Sequence, residues 1–120
     1  ARAWSVWEAS TSKLVTDPTL IRKFSGGRFA EAFARIEAHY FINRGFFEHD
    51  DQLLRNARRL RDIPGVIVQG RYDVVCPMRS AWDLHRAWPT AELVVVPDAG
   101  HSMSEDGIRA ALIAHTDRYA

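Results

Sequence analysis

The chain has 120 residues, 47% of them hydrophobic and 26% charged, with a formal net charge of +1. That is the size of one ordinary domain; it is too apolar to be disordered and too close to neutral to call for nucleic acid or an anionic membrane as partner. Its apolar runs are too short to span a bilayer, "ARAWSVWEAS" does not read as a secretory signal, and the single cysteine excludes an internal disulfide framework and suits a reducing, cytoplasmic compartment.

Up to Asp62 the patterning is helical. In "TSKLVTDPTLIRKF" either Thr16 or Asp17 is expected as an N-cap, with Pro18 at the tolerated first turn. In "GGRFAEAFARIEAHYFIN" Phe29, Phe33, Ile36 and Tyr40 recur at helical spacing, and Asn43 and Gly45 supply a stop. "DDQLLRNARRLRDI" opens on an aspartate cap followed by good helix formers. Its Arg55, Arg58, Arg59 and Arg61 alternate with Leu54, Ala57 and Leu60, the pattern of a solvated basic face.

From Ile63 onward the pattern changes. "GVIVQG", a β-branched run between glycines, predicts a strand buried on both faces. "MRSAWDLHRAW" predicts a helix, "AELVVVPDAG" a second buried strand, and "SEDGIRAALIAHTDRYA" a last helix with Ser104 as its N-cap. Strand, helix, strand, helix on short connections is a βαβ unit with a parallel sheet and a right-handed crossover. Two such strands expect neighbours that this sequence does not supply. With no initiator Met, the sequence is expected to be a piece of something longer.

The chemistry gathers at the ends of these strands. Asp73, in "GRYDVVCP", follows the first strand, and His101, in "PDAGHSMSE", follows the second. In a parallel sheet both ends lie at one rim, where open α/β folds place their sites. An aspartate accepting the Nδ1–H of a histidine fixes its tautomer and stabilises the imidazolium. The order Asp then His, each after a strand, matches the last two members of an α/β-hydrolase triad. An aspartate in such a loop also serves as a turn former, and a lone loop histidine as a solvated side chain; the pairing is more specific than either residue. No G-x-S-x-G nucleophile elbow occurs. Cys76 lies only three residues after Asp73 and off any strand-to-helix elbow, a poor place for a nucleophile.

Two carboxylates in the first half stand out. Glu37 follows Phe33 by four and precedes Phe41 by four, so it shares the apolar face of its helix. A carboxylate there requires a partner, either an arginine of the protein or a cation brought by a substrate. Glu8 in "WSVWE" stands beside Trp4 and Trp7. An aromatic wall beside a carboxylate suits an ammonium group, but composition favours a helix-surface acid next to core aromatics.

The blocks "WSVWE", "FARIEAHYF", "DDQLLRNARRLRDIPGVIVQGRYDVVCP", "AWDLHRAWPTAEL" and "AGHSMSEDGI" resemble, across essentially the whole chain, the C-terminal part of the proline iminopeptidases (prolyl aminopeptidases), members of the α/β-hydrolase superfamily. The resemblance implies an α/β fold, with residues 1–62 part of a helical cap and 63–120 the C-terminal segment of the hydrolase core. It implies a serine peptidase that releases N-terminal proline from peptides, with Asp73 orienting the histidine and His101 as general base. Glu8 and Glu37 would bind the substrate's free amino group, and Cys76 would stand near the pyrrolidine pocket. No cofactor and no metal ion is called for, and the partner is a peptide with N-terminal proline rather than nucleic acid or a membrane. The family's nucleophilic serine and most of its sheet have no counterpart here, so the missing N-terminal core segment is expected elsewhere and the chain alone is expected to be inactive. Two alternatives stay open on the residues: a piece of another α/β-hydrolase such as an esterase or epoxide hydrolase, or a non-catalytic assembly piece whose strand edge pairs with a partner.

Overall fold

A computed structural model describes residues 1–120. The chain divides into two compact units, one formed by residues 1–11 and 15–52, the other by residues 12–14 and 53–120. No helix is long and apolar enough to cross a membrane.

The first unit is helical. Helix α1 (Arg2–Thr11) is followed by α2 (Pro18–Phe24) and α3 (Gly27–Ile42). Asp17 caps α2, its carboxylate accepting from the amides of Thr19 and Leu20, with Pro18 in the first turn. Small residues let α1 and α3 approach closely: Ser5, fully buried, donates its hydroxyl to the Ala30 carbonyl, and Ala9 and Ala30 are buried beside it. Phe24 of α2 meets Phe29 and Phe33 of α3 edge-on, at ring separations of 4.8 and 5.2 Å. The predicted apolar stripe of α3 therefore divides. Phe29 and Phe33 pack on α2, whereas Ile36 and Tyr40 are exposed, and the residue fully buried from this helix is Ala30. Helix α3 ends at Asn43 as expected, in a tight turn over Arg44–Phe46 where Arg44, Gly45 and Phe46 all take positive φ.

The second unit is a βαβα arrangement. The helical stretch expected after Asp51 is a short helix, α4 (Gln52–Asn56), running into a 3-10 turn, Ala57–Leu60. Only Ala57 of this stretch is buried, so nothing apolar is packed tightly enough to prolong it. Strand β1 (Gly65–Gly70), helix α5 (Met78–Ala87), strand β2 (Ala91–Val96) and helix α6 (Asp106–Asp117) follow. The strands pair in parallel and in step, from Gly65 opposite Ala91 to Gly70 opposite Val96. At the lower end the Ile63 carbonyl accepts from the Trp88 indole at 2.9 Å and from the Thr90 hydroxyl at 2.8 Å, tying the entry of β1 to the exit of α5. The core is Val96, Ala99 and Ile108, with Val68, Ala111 and Leu112 packed against it. The central residues of both strands are only half-buried, not buried on both faces as their composition suggests, because a two-stranded sheet leaves each strand one unpaired edge. Arg118, beyond α6, donates to Glu92 of β2 at 2.9 Å, and that hydrogen bond holds the Glu92 carboxyl below its ordinary range.

Ile108, 5% exposed, is the buried residue that α6 contributes to the cluster with Val96 and Ala99. Ile108→Ala is expected to cost about 2–5 kcal/mol, measured as a lowered denaturant midpoint; a shift near zero would place the core elsewhere.

Candidate functional site

The in-step register brings the last residues of both strands level, and backbone bonds carry the pairing on into the loops. Arg71 donates to the Val96 carbonyl at 2.9 Å, and Tyr72 to the Ala99 carbonyl at 3.0 Å. This approach demands glycine at position 70, where any side chain would run into the Gly100 carbonyl. Across the seam His101 Nδ1 lies 3.0 Å from Asp73 Oδ2.

The carboxylate of Asp73 has all its surroundings arranged. Its side chain is only 6% exposed. Oδ1 accepts from the amides of Val75 at 3.0 Å and Cys76 at 2.8 Å, which folds the loop into a turn around the carboxylate. Oδ2 is left for His101 and for the Gln69 side-chain amide at 3.3 Å, which also donates to the Cys76 carbonyl at 3.0 Å. The imidazole, by contrast, is 39% exposed. A histidine whose Nδ1 faces a carboxylate carries its proton there, and its Nε2 lone pair is then free to accept one. Both readings of Asp73 hold together: it is a turn former, and the same carboxylate reaches the histidine.

The His101 loop has its own supports. His101 and Ser102 both donate their amides to the Ser12 carbonyl, at 3.0 and 2.7 Å. Glu105 accepts from the Gly100 amide with one carboxylate oxygen and from the Leu14 amide with the other. Ser104 is not the cap of α6. Its hydroxyl pairs with that of Ser102 at 2.8 Å, and Glu105 occupies the N-cap position without bonding the helix's own amides. Ser104 is instead drawn into a serine turn of the kind that competes with capping.

In the first unit, Glu37 accepts a hydrogen bond from the Trp4 indole at 2.6 Å. Its partner is therefore a neutral donor, neither of the two cations considered from sequence. Trp4 lies one turn before Glu8 on α1, so Glu37 comes to the side of α1 that carries Glu8. Trp7 and Phe41 stand beside Trp4, at ring separations of 5.4 and 6.2 Å. Glu8 and Glu37 are both half-buried. Cys76 is exposed, on the Asp73 turn. Asp73, Cys76 and His101 belong to the second unit, and Glu8 and Glu37 to the first.

Two contributors escape a reading by motif. Gln69 was signalled by its polarity in an otherwise apolar strand. Glu105 was masked by its place among the acids that ordinarily open a helix.

Comparison with known proteins agrees with this architecture. Residues 47–119 match the family described as TAP-like protein. A probable proline iminopeptidase of Leptolyngbya boryana is 69% identical over 99% of the chain, which spans 37% of that relative. A proline iminopeptidase of Xanthomonas citri is 58% identical over 100% of the chain and 38% of its own length. One from Arabidopsis thaliana is 53% identical over 98% of the chain and 31% of its own length. The chain belongs to the TAP-like family of α/β-hydrolases, with the fold of a C-terminal piece, and spans about a third of the length of the curated relatives it matches.

Gly70→Ala is expected to push the Gly100 carbonyl away and to destabilise the second unit by about 1–3 kcal/mol. Thermal unfolding reads the loss; an unchanged midpoint would mean that the seam tolerates a side chain.

Proposed function

We propose that the chain supplies the acid and base of a serine-type proline iminopeptidase, together with the group that recognises the substrate's free amino terminus. The observation that carries the reading is the 3.0 Å contact between His101 Nδ1 and the buried Asp73 carboxylate. The relatives' names supply the substrate class. The lone cysteine, Cys76, fits a cytoplasmic setting.

In this reading Asp73 holds His101 with Nδ1 protonated, so that Nε2 accepts the proton of a serine hydroxyl. The serine oxygen attacks the carbonyl carbon of the substrate's first residue. Collapse of the tetrahedral intermediate breaks the C–N bond, and Nε2 returns the proton to the leaving amine. Water, deprotonated by the same nitrogen, then releases proline from the acyl-enzyme. This chain has no G-x-S-x-G elbow, so the serine comes from a segment outside it and the chain alone is inactive. Glu8 and Glu37 receive the protonated amine of the N-terminal proline. Trp4 and Trp7 offer ring faces to the same cation, and the Trp4 indole keeps the Glu37 oxygen oriented while the site waits. Cys76 lies by the pyrrolidine ring as a small polarizable contact.

The experiment is to join the chain to the unmatched segment of the Leptolyngbya boryana relative and to follow hydrolysis of a proline anilide and of a simple uncharged ester. His101→Ala is expected to abolish turnover of both, and Asp73→Asn to lower kcat by about 10⁴-fold. Activity that survives His101→Ala overturns the catalytic assignment.

Glu37→Gln separates recognition from chemistry. It is expected to lower kcat/KM for the proline anilide by about 30-fold or more while leaving the ester nearly unchanged. An equal loss on both substrates would remove the amine-anchor role.

A further inference from the structure

We infer that Glu105 is a positioning residue for His101, holding the loop from which the imidazole reaches Asp73. The inference rests on the assignment of His101 as base. A carboxylate at the start of a helix ordinarily turns inward and accepts from the helix's first amides. Glu105 does the opposite. It occupies the N-cap of α6 yet makes no side-chain bond to that helix. Instead Oε1 accepts from the Gly100 amide at 2.8 Å, immediately before His101, and Oε2 from the Leu14 amide at 3.0 Å. Its own amide donates to the Ser102 carbonyl at 3.0 Å, so main chain and side chain of one residue grip the loop on both sides of the histidine.

The second point of attachment is the segment Ser12–Leu14. The Ser12 carbonyl takes the amides of His101 and Ser102, and Leu14 returns an amide to Glu105. Gly100 is buried between them, and a Cβ there would meet the Leu14 nitrogen at 2.9 Å and the Lys13 carbonyl carbon at 3.2 Å. Each amide bonded to the carboxylate is a charge-assisted hydrogen bond, shorter and stronger than a neutral one. Both oxygens are needed because the two donors come from different segments. A glutamine of the same size has one acceptor and would turn its NH₂ toward the other amide. The consequence for chemistry is geometric, since a displacement of about 1 Å in a catalytic group costs on the order of 10²-fold in rate.

The test is made on the full ¹⁵N-labelled chain by NMR, reading amide exchange at Gly100 and Leu14 and the downfield Nδ1–H signal of His101. Glu105→Ala is expected to speed both amides about 10- to 100-fold and to broaden the Nδ1–H signal, with the amides of the β1–β2 ladder unchanged. Glu105→Gln, which preserves volume, is expected to release one of the two amides and to weaken the same signal. It carries the test if the alanine variant fails to fold. Both amides and the Nδ1–H signal remaining as in the parent in Glu105→Gln would overturn the inference. Asp73→Asn is the control for the underlying reading: it is expected to remove the Nδ1–H signal and leave Gly100 and Leu14 protected. If that signal does not respond to Asp73→Asn, the acid–base pair is wrong, while the two amides still report independently on Glu105.

Discussion

Everything in the second unit depends on the in-step parallel pairing of β1 with β2. Because Gly70 lies opposite Val96, the two chains leave the sheet at the same height. Side chains three and five residues further on, Asp73 and His101, then need to cross only one strand spacing to meet. A slip of one residue would turn every strand side chain to the other face and set the two exits out of level. The tie between Ile63 and the Trp88–Thr90 corner matters for this reason, since it fixes the register at the far end from the chemistry.

The pair is maintained by polar groups that are nearly all satisfied locally. A buried carboxylate is costly unless its lone pairs are used. Asp73 uses Oδ1 on its own turn, where two backbone amides are fixed by the chain, and keeps Oδ2 for Gln69 and His101. The first unit shows a gentler version of the same arrangement. Glu37 is bonded to a neutral indole N–H, which satisfies one oxygen without neutralising the charge. An ion pair at that place would have used up the carboxylate's attraction for a cation; an indole leaves it in force.

The parallel βαβ order, the limits of the first strand and the meeting of Asp73 with His101 could be read directly from the sequence, because each follows from local patterning or from a topological rule. The cap of α2 was narrowed to Thr16 or Asp17, and the second strand stops at Val96, short of the loop its pattern ran into. Other features could not. The helix expected after Asp51 breaks into two short turns, since its arginine-rich face supplies charge but little to bury. Ile36 and Tyr40 have the spacing of a core face yet stay exposed, and a small residue, Ala30, takes the buried place because α1 crosses there. Periodicity reports which side of a helix is apolar, not how closely a neighbour comes. Glu105 was illegible for a different reason: its partners lie 5 and 91 residues away in sequence, and an acid at the start of a helix already has a sufficient local explanation.

The second unit is not one continuous length of sequence. Residues 12–14 belong with 53–120, and the Ser12 carbonyl is the acceptor for two amides of the histidine loop. Proteolytic excision or gene fission at the obvious joint near residue 52 would therefore produce a polypeptide that retains the acid and the imidazole but leaves behind part of their scaffold. A transplant of this βαβα module keeps its histidine loop fully bonded only if residues 12–14 go with it.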